Sequence, residues 1–246
     1  MRTIELILDE APNYFVHEAF NTLRTNILFS GKNVKSIVVT SCIAHEGKTT
    51  VSFELARSLT EIGKKVLLID ADLRKSVMVS RYTKERGIMG LSQFLSGQAE
   101  VDEVINHTQV PYLDVLFAGP YPPNPTALAG SPAFKELIDE KREDYDYIIV
   151  DAPPLGLVID AAVMANYCDG AVFVINAGTT KYRVAQNVKE QLLKSGCKIL
   201  GVILNQASRK DISSNNSYYG AEYTEEYYNY HEGAQELHDG EEEDNK

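Results

Sequence analysis

The chain has 246 residues, 44% of them apolar, enough for one α/β domain with a substantial core. Of its net charge of −11, the stretch from Asp211 to Lys246 carries −10 (eleven acidic residues, one lysine), so the nearly neutral body lacks the basic face that nucleic-acid binding requires. No apolar run is long enough to cross a bilayer, no signal-peptide pattern opens the chain, and the three scattered cysteines, Cys42, Cys168 and Cys197, read as reduced cytosolic thiols, not a disulfide frame or zinc site.

Residues 1–16 show no clear period. A helix is predicted from about 17 to 29, with Phe20, Leu23, Ile27 and Leu28 on one side. Residues 36–41 form a β-branched strand, followed by a loop and a helix from Lys48 to about Ile62 that Gly63 ends. The second strand covers 65–70. Residues 77–107 are mixed, with short helices near 91–95 and 101–105. A strand over 113–117 leads into a proline-rich loop at 121–125. Ser131 and Pro132 open a helix to about 143. Strands follow at 146–151, 170–176 and 198–205, separated by helices over 160–167 and 182–195. This alternation, with continuous apolar strands, predicts a mainly parallel sheet flanked by helices. Ligands bind such sheets at the carboxyl ends of the strands.

Three stretches place chemistry at those ends. Ala44-His45-Glu46-Gly47-Lys48-Thr49 joins a strand to a helix, while Ile69-Asp70-Ala71-Asp72-Leu73-Arg74 and Tyr147-Ile148-Ile149-Val150-Asp151-Ala152-Pro153-Pro154 are apolar strands ending in aspartate. Gly47 lets the backbone approach phosphates, and the helix start adds amides and dipole. Lys48 is expected to reach the β- and γ-phosphates, and the Thr49 hydroxyl to bind Mg²⁺. Asp70 and Asp72 suit holding the metal or taking a proton from an attacking hydroxyl. Arg74 suits phosphate charge or a pair with one of these aspartates. Asp151 holds the usual strand-end place of a metal-organising carboxylate. Alone, Gly-Lys-Thr is weak; its combination with two aspartate-ended strands is not.

Near the end of the chain, Tyr218, Tyr219, Tyr223, Tyr227, Tyr228 and Tyr230 fall within thirteen residues, six of the fourteen tyrosines. They sit among glutamates, asparagines and glycine, a composition that buries too little to fold alone. A solubilising tail is the plain reading, but exposed rings do not aid solubility. The expected division is a domain over 1–210 and a flexible acidic tyrosine-rich tail over 211–246.

Together these residues resemble the bacterial tyrosine kinases of capsule and exopolysaccharide systems, P-loop NTPases with a deviant Walker A loop in the MinD-like superfamily. Residues 69–75 fit the family's Walker A′ motif, residues 151–154 its Walker B motif, and Tyr218–Tyr230 its C-terminal tyrosine cluster. Asn124-Pro125 with Leu128, Ser131 and Phe134 fits a helix-start segment, with Ala127 where glutamate is usual. The resemblance implies ATP and Mg²⁺ as cofactors, with Glu46, Gly47, Lys48, Thr49, Thr50 and Asn205 at the nucleotide. It implies Lys48, Asp70, Asp72 and Arg74 as catalytic residues, and Thr49, Asp70, Asp72 and Asp151 at the metal. It further implies autophosphorylation of the tail tyrosines in trans within a ring-like homo-oligomer. Glu18, Arg24 and Asn26 match the subunit-contact helix, and Asn21 stands where that helix has an arginine. Implied partners are a membrane activator with a cytoplasmic tail, a tyrosine phosphatase and other protein substrates. The implied location is the cytoplasm, with recruitment to the inner face of the membrane. Ala44-His45 replaces the usual Pro-Gly, so His45 is expected to take a glycine-like backbone shape at a cost of about 1 kcal/mol. The competing readings are a positioning or partitioning ATPase, whose early signature lysine is Cys42 here, and a catalytically weakened nucleotide-dependent scaffold.

Overall fold

The computed structural model of the chain describes residues 2–8 and 14–207. Its elements run β1 (Arg2–Ile4), α1 (Tyr14–Phe29), β2 (Ser36–Ser41), α2 (Lys48–Glu61), β3 (Val66–Asp70), α3 (Met78–Tyr82), α4 (Leu91–Leu95), α5 (Val101–Val104), β4 (Ile105–Thr108), β5 (Leu113–Leu116), α6 (Pro125–Ala129), α7 (Pro132–Asp144), β6 (Tyr147–Asp151), α8 (Asp160–Ala165), β7 (Gly170–Asn176), α9 (Tyr182–Lys194) and β8 (Ile199–Asn205). The tyrosine cluster and the boundary expected at 210/211 lie outside the described residues.

Eight strands form one sheet in the order β1-β4-β5-β3-β6-β2-β7-β8. Every pairing is parallel except β4 with β5, so β1 and β4 run against the other six. The central strands are apolar throughout because both faces are covered. Alternation within them still sorts the two cores. Val38, Leu67, Ile69, Ile148 and Val150 face one side, with Leu91, Phe134, Leu137, Met164, Val188 and Leu192 from the flanking helices. Ile37, Val39, Leu68 and Ile149 face the other, with Ile27, Phe53, Leu55, Leu59, Met78 and Tyr82. Phe53 of α2 and Tyr82 of α3 stack there, ring centroids 3.9 Å apart.

Strands β1 and β4, the outer two at one margin of the sheet, are not among the predicted elements: 1–16 shows no period, and a short helix is expected up to 105. Their residues, Arg2-Thr3-Ile4 and Ile105-Asn106-His107-Thr108, carry no run of alternating apolar side chains. Pairing of β4 with β5, and of β1 with β4, supplies what local preference does not. Likewise α3 and α6 are short helices where a mixed segment and a loop end were expected.

Strand register decides what meets at the carboxyl ends. Asp70 pairs directly with Asp151, and Val39 pairs with Asp151 from the other side. Asn176 pairs with Asn205. The loop after Ser41, both aspartate-ended strands and the ends of β7 and β8 therefore share one edge.

Candidate functional site

The loop between β2 and α2 is shaped by two left-handed residues, His45 at φ 67° and Gly47 at φ 86°. The expected glycine-like conformation of His45 is present. Gly47 caps α2, and a Cβ there would overlap the side-chain amide of Asn205. That amide donates to the Glu46 carbonyl at 2.9 Å. The Glu46 carboxylate is turned inward and buried; its Oε2 accepts the Cys42 and Ile43 backbone N–H groups at 2.6 and 2.9 Å. As a nucleotide contact, Glu46 thus offers its main chain, not its carboxylate.

Lys48, the first residue of α2, reaches between two strands. Its Nζ lies 3.1 Å from Asp72 Oδ2 and 3.5 Å from Asp151 Oδ1. Asp151 also accepts from Ser52 Oγ at 3.3 Å, one helical turn after Lys48, and Lys48 Nζ lies 3.4 Å from the Thr49 hydroxyl. Asp70 accepts from the Ser76 hydroxyl and, at 3.3 Å, from the Asp72 backbone N–H. Asp72 Oδ1 accepts the N–H groups of Arg74 and Lys75 at 3.3 and 3.0 Å, which folds residues 72–75 into a turn. Sequence reasoning missed Ser52, although its i+4 spacing from Lys48 is legible; Ser76 has no such signal.

The electrostatics favour a further cation. Asp70, Asp72 and Asp151 are at most 5% exposed and share one ammonium group. Burial pushes Asp70 up to about 7, with the charge of Asp151 adding to it. Burial likewise raises Asp151. For Lys48, burial lowers the pKa, but Asp151 and then Asp72 outweigh it, so it is raised. Surplus negative charge, lined by oxygen donors alone, suits a hard divalent ion. Among the described residues no three His, Cys, Asp or Glu side chains form a ready metal cage. Mg²⁺ fits that arrangement, because it binds through one or two carboxylates with phosphate oxygens and waters completing its shell.

Other expected residues lie outside this cluster. Arg74 meets Asp72 only through its backbone. Its guanidinium pairs with Asp160 (Nε to Oδ2, 2.7 Å) and donates to Thr126 Oγ1 at 2.7 Å, while Thr126 donates to Asp160 Oδ1 at 2.7 Å. Asp160, 2% exposed, needs such partners, and this draws Arg74 towards α6 and α8, away from Asp70 and Asp72. The Thr50 hydroxyl accepts from Arg81 of α3 at 2.8 Å. On α1, Arg24 is folded against α2, donating to the Ser58 carbonyl and hydroxyl at 2.8 and 2.9 Å and pairing with Glu61 at 3.1 Å. Glu18 accepts from Asn21 at 2.8 Å, and both Glu18 and Asn26 are exposed.

Residues 34–177 match a family model described as an AAA domain. Tyrosine-protein kinase CpsD of Streptococcus agalactiae is 48% identical over 191 residues, 78% of this chain and 82% of that protein. The chain belongs to the bacterial tyrosine-protein kinase family. Among solved structures, the chimerical protein CapA2B2 matches this kinase with a TM-score of 0.76 at 33% identity, over 85% of this chain and 94% of that one. The septum site-determining protein MinD of Pyrococcus horikoshii, complexed with Mg-ADP, matches with a TM-score of 0.60 at 28% identity, over 72% and 73%. The positioning-ATPase fold is therefore shared, while the relatives of high identity carry kinase names. Among the described residues no helix of the kinase is long and apolar enough to cross a membrane.

Proposed function

We propose that the chain is an ATP-dependent protein-tyrosine kinase of a capsule or exopolysaccharide system that phosphorylates its own C-terminal tyrosines in trans. The observation that carries this is the convergence of Lys48, Asp72 and Asp151 on one buried point, with Asp70 in register beside Asp151. Lys48 and the amides at the α2 start would hold the β- and γ-phosphates. Thr49 and Asp151, with Asp70 or Asp72, would hold Mg²⁺, which would supply charge neutralisation at the phosphates. Asp70 or Asp72 accepts the proton of the attacking tyrosine hydroxyl. Arg74 acts from its place on Asp160 and Thr126, fixing the 72–75 turn. Asn205 would stand at the nucleotide while its amide holds the loop through the Glu46 carbonyl. Glu18 and Asn26 contact a neighbouring subunit in a ring, and a membrane activator, a tyrosine phosphatase and further protein substrates are the partners.

The test is phosphotyrosine on protein expressed alone and with the cytoplasmic tail of a membrane partner from the same system. Lys48→Met is expected to abolish the signal, and Asp70→Ala and Asp72→Ala to lower it at least a hundredfold. Wild-type phosphorylation in all three variants would disprove the assignment.

A further inference from the structure

The Glu46 carboxylate is spent on a contact that the kinase reading does not use. One oxygen ties down the first two N–H groups of the phosphate loop, those of Cys42 and Ile43. The other accepts from the hydroxyl of Thr180, 134 residues further on, in the loop between β7 and α9. In this bond the hydroxyl donates and the carboxylate oxygen accepts. Its oxygen in turn accepts the Asn176 N–H at the end of β7, at 3.0 Å. A single hydroxyl therefore joins the end of β7, through a buried carboxylate, to the backbone that shapes the phosphate loop. Asn205, paired in register with Asn176, grips the Glu46 carbonyl of the same loop.

We infer that Thr180 is a positioning residue for ATP binding: with Glu46 it latches the phosphate loop to the β7–α9 loop and holds the loop in its binding shape. The inference rests on the site being an ATP site. The latch acts before chemistry, on loop shape, and touches neither the phosphates nor the tyrosine. Its loss raises KM for ATP and leaves the rate at saturating ATP in place. The left-handed backbone at His45 and Gly47 lies in the loop that the latch restrains.

Thr180→Val keeps the side-chain shape and removes the hydroxyl; Thr180→Ser keeps the hydroxyl. Titration of the purified full-length chain with a fluorescent ATP analogue and Mg²⁺ reads affinity without requiring kinase activity. Thr180→Val is expected to bind about tenfold more weakly, the effect of losing a hydrogen bond to a charged group, and Thr180→Ser to bind within twofold of wild type. In the kinase assay Thr180→Val is expected to raise KM for ATP by a similar factor with kcat within twofold. Unchanged affinity in Thr180→Val, or a loss confined to kcat, overturns the latch and leaves the ATP site standing. Wild-type chain that binds no analogue overturns both. Should Thr180→Val fail to fold, Thr180→Ala, which also removes the hydroxyl and leaves Glu46 in place, carries the same test: weaker binding with kcat retained supports the latch, and unaltered binding removes it.

Discussion

His45 occupies a backbone conformation that glycine reaches freely, yet it is exposed, and among the described residues its ring makes no hydrogen bond or ion pair. Replacing it with glycine removes a strain of about 1 kcal/mol. His45→Gly is expected to raise the midpoint of urea unfolding by a corresponding amount and to leave the fold unchanged, measured by circular dichroism. Gly47 is the opposite case. Its φ of 86° and the Asn205 amide both exclude a Cβ, so Gly47→Ala is expected to lose ATP binding at least tenfold by titration. The two neighbours share a conformation and differ in what surrounds them. At the same scale, Arg74 shows where sequence reading stopped. The spacing of Asp70, Asp72 and Arg74 located the turn, but the partner of Arg74 is Asp160, 86 residues away, and no local pattern points to it.

Among the elements, β2 and β7 are joined at the sheet's amino end by Asp169. Its Oδ2 accepts the Lys35 and Ser36 backbone N–H groups at 2.9 and 2.8 Å, and its Oδ1 pairs with Arg142 of α7 at 2.5 Å. Burial alone would raise this carboxyl; the hydrogen bond from Arg142 and those from Ser36 and Lys35 outweigh it and hold the pKa below the ordinary 3.8. A depressed acid stabilises the fold above the unfolded value and loses that stability as pH falls through the folded one. Asp169→Asn is therefore expected to cost about 2 kcal/mol at neutral pH. That difference should begin to shrink as pH falls past 3.8 and disappear only as it drops through the lower folded value, followed by denaturant melts across pH. The elements themselves were largely legible. β2 and β7 fall on their predicted residues, and α2, β3, β6, α9 and β8 fall within a residue or so, because a long apolar strand or an amphipathic helix states its own identity. β1 and β4 were not legible because they become strands by pairing with something else. The strand-end aspartates were legible for the same reason as their strands. Ser76, Thr126, Asp160 and Thr180 were not, since each is placed by a turn or by packing between distant segments.

At the scale of the whole molecule, the proposed trans reaction has a direct check. A full-length Lys48→Met chain mixed with active chains lacking residues 212–246 is expected to acquire phosphate on Tyr218–Tyr230 by mass spectrometry. Absence of transfer in that mixture sinks the proposal. Each phosphate adds about −1.5 to −2 charge to a segment already at −10, so phosphorylated protein is expected to be smaller by light scattering than unphosphorylated protein. The sheet order bears on something else again: when a growing chain first becomes able to fold. β6 lies between β3 and β2 and pairs with both, so the two halves of the site have no shared wall until it is made. Lys48 and Asp151 are 103 residues apart. Until Asp151 leaves the ribosome, β2 and β3 are apolar strands with an empty place between them, exposed in a nascent chain that has no short-range alternative. A ribosome stalled before residue 151 is expected to display a protease-sensitive chain, and one stalled after β8 has emerged a resistant one.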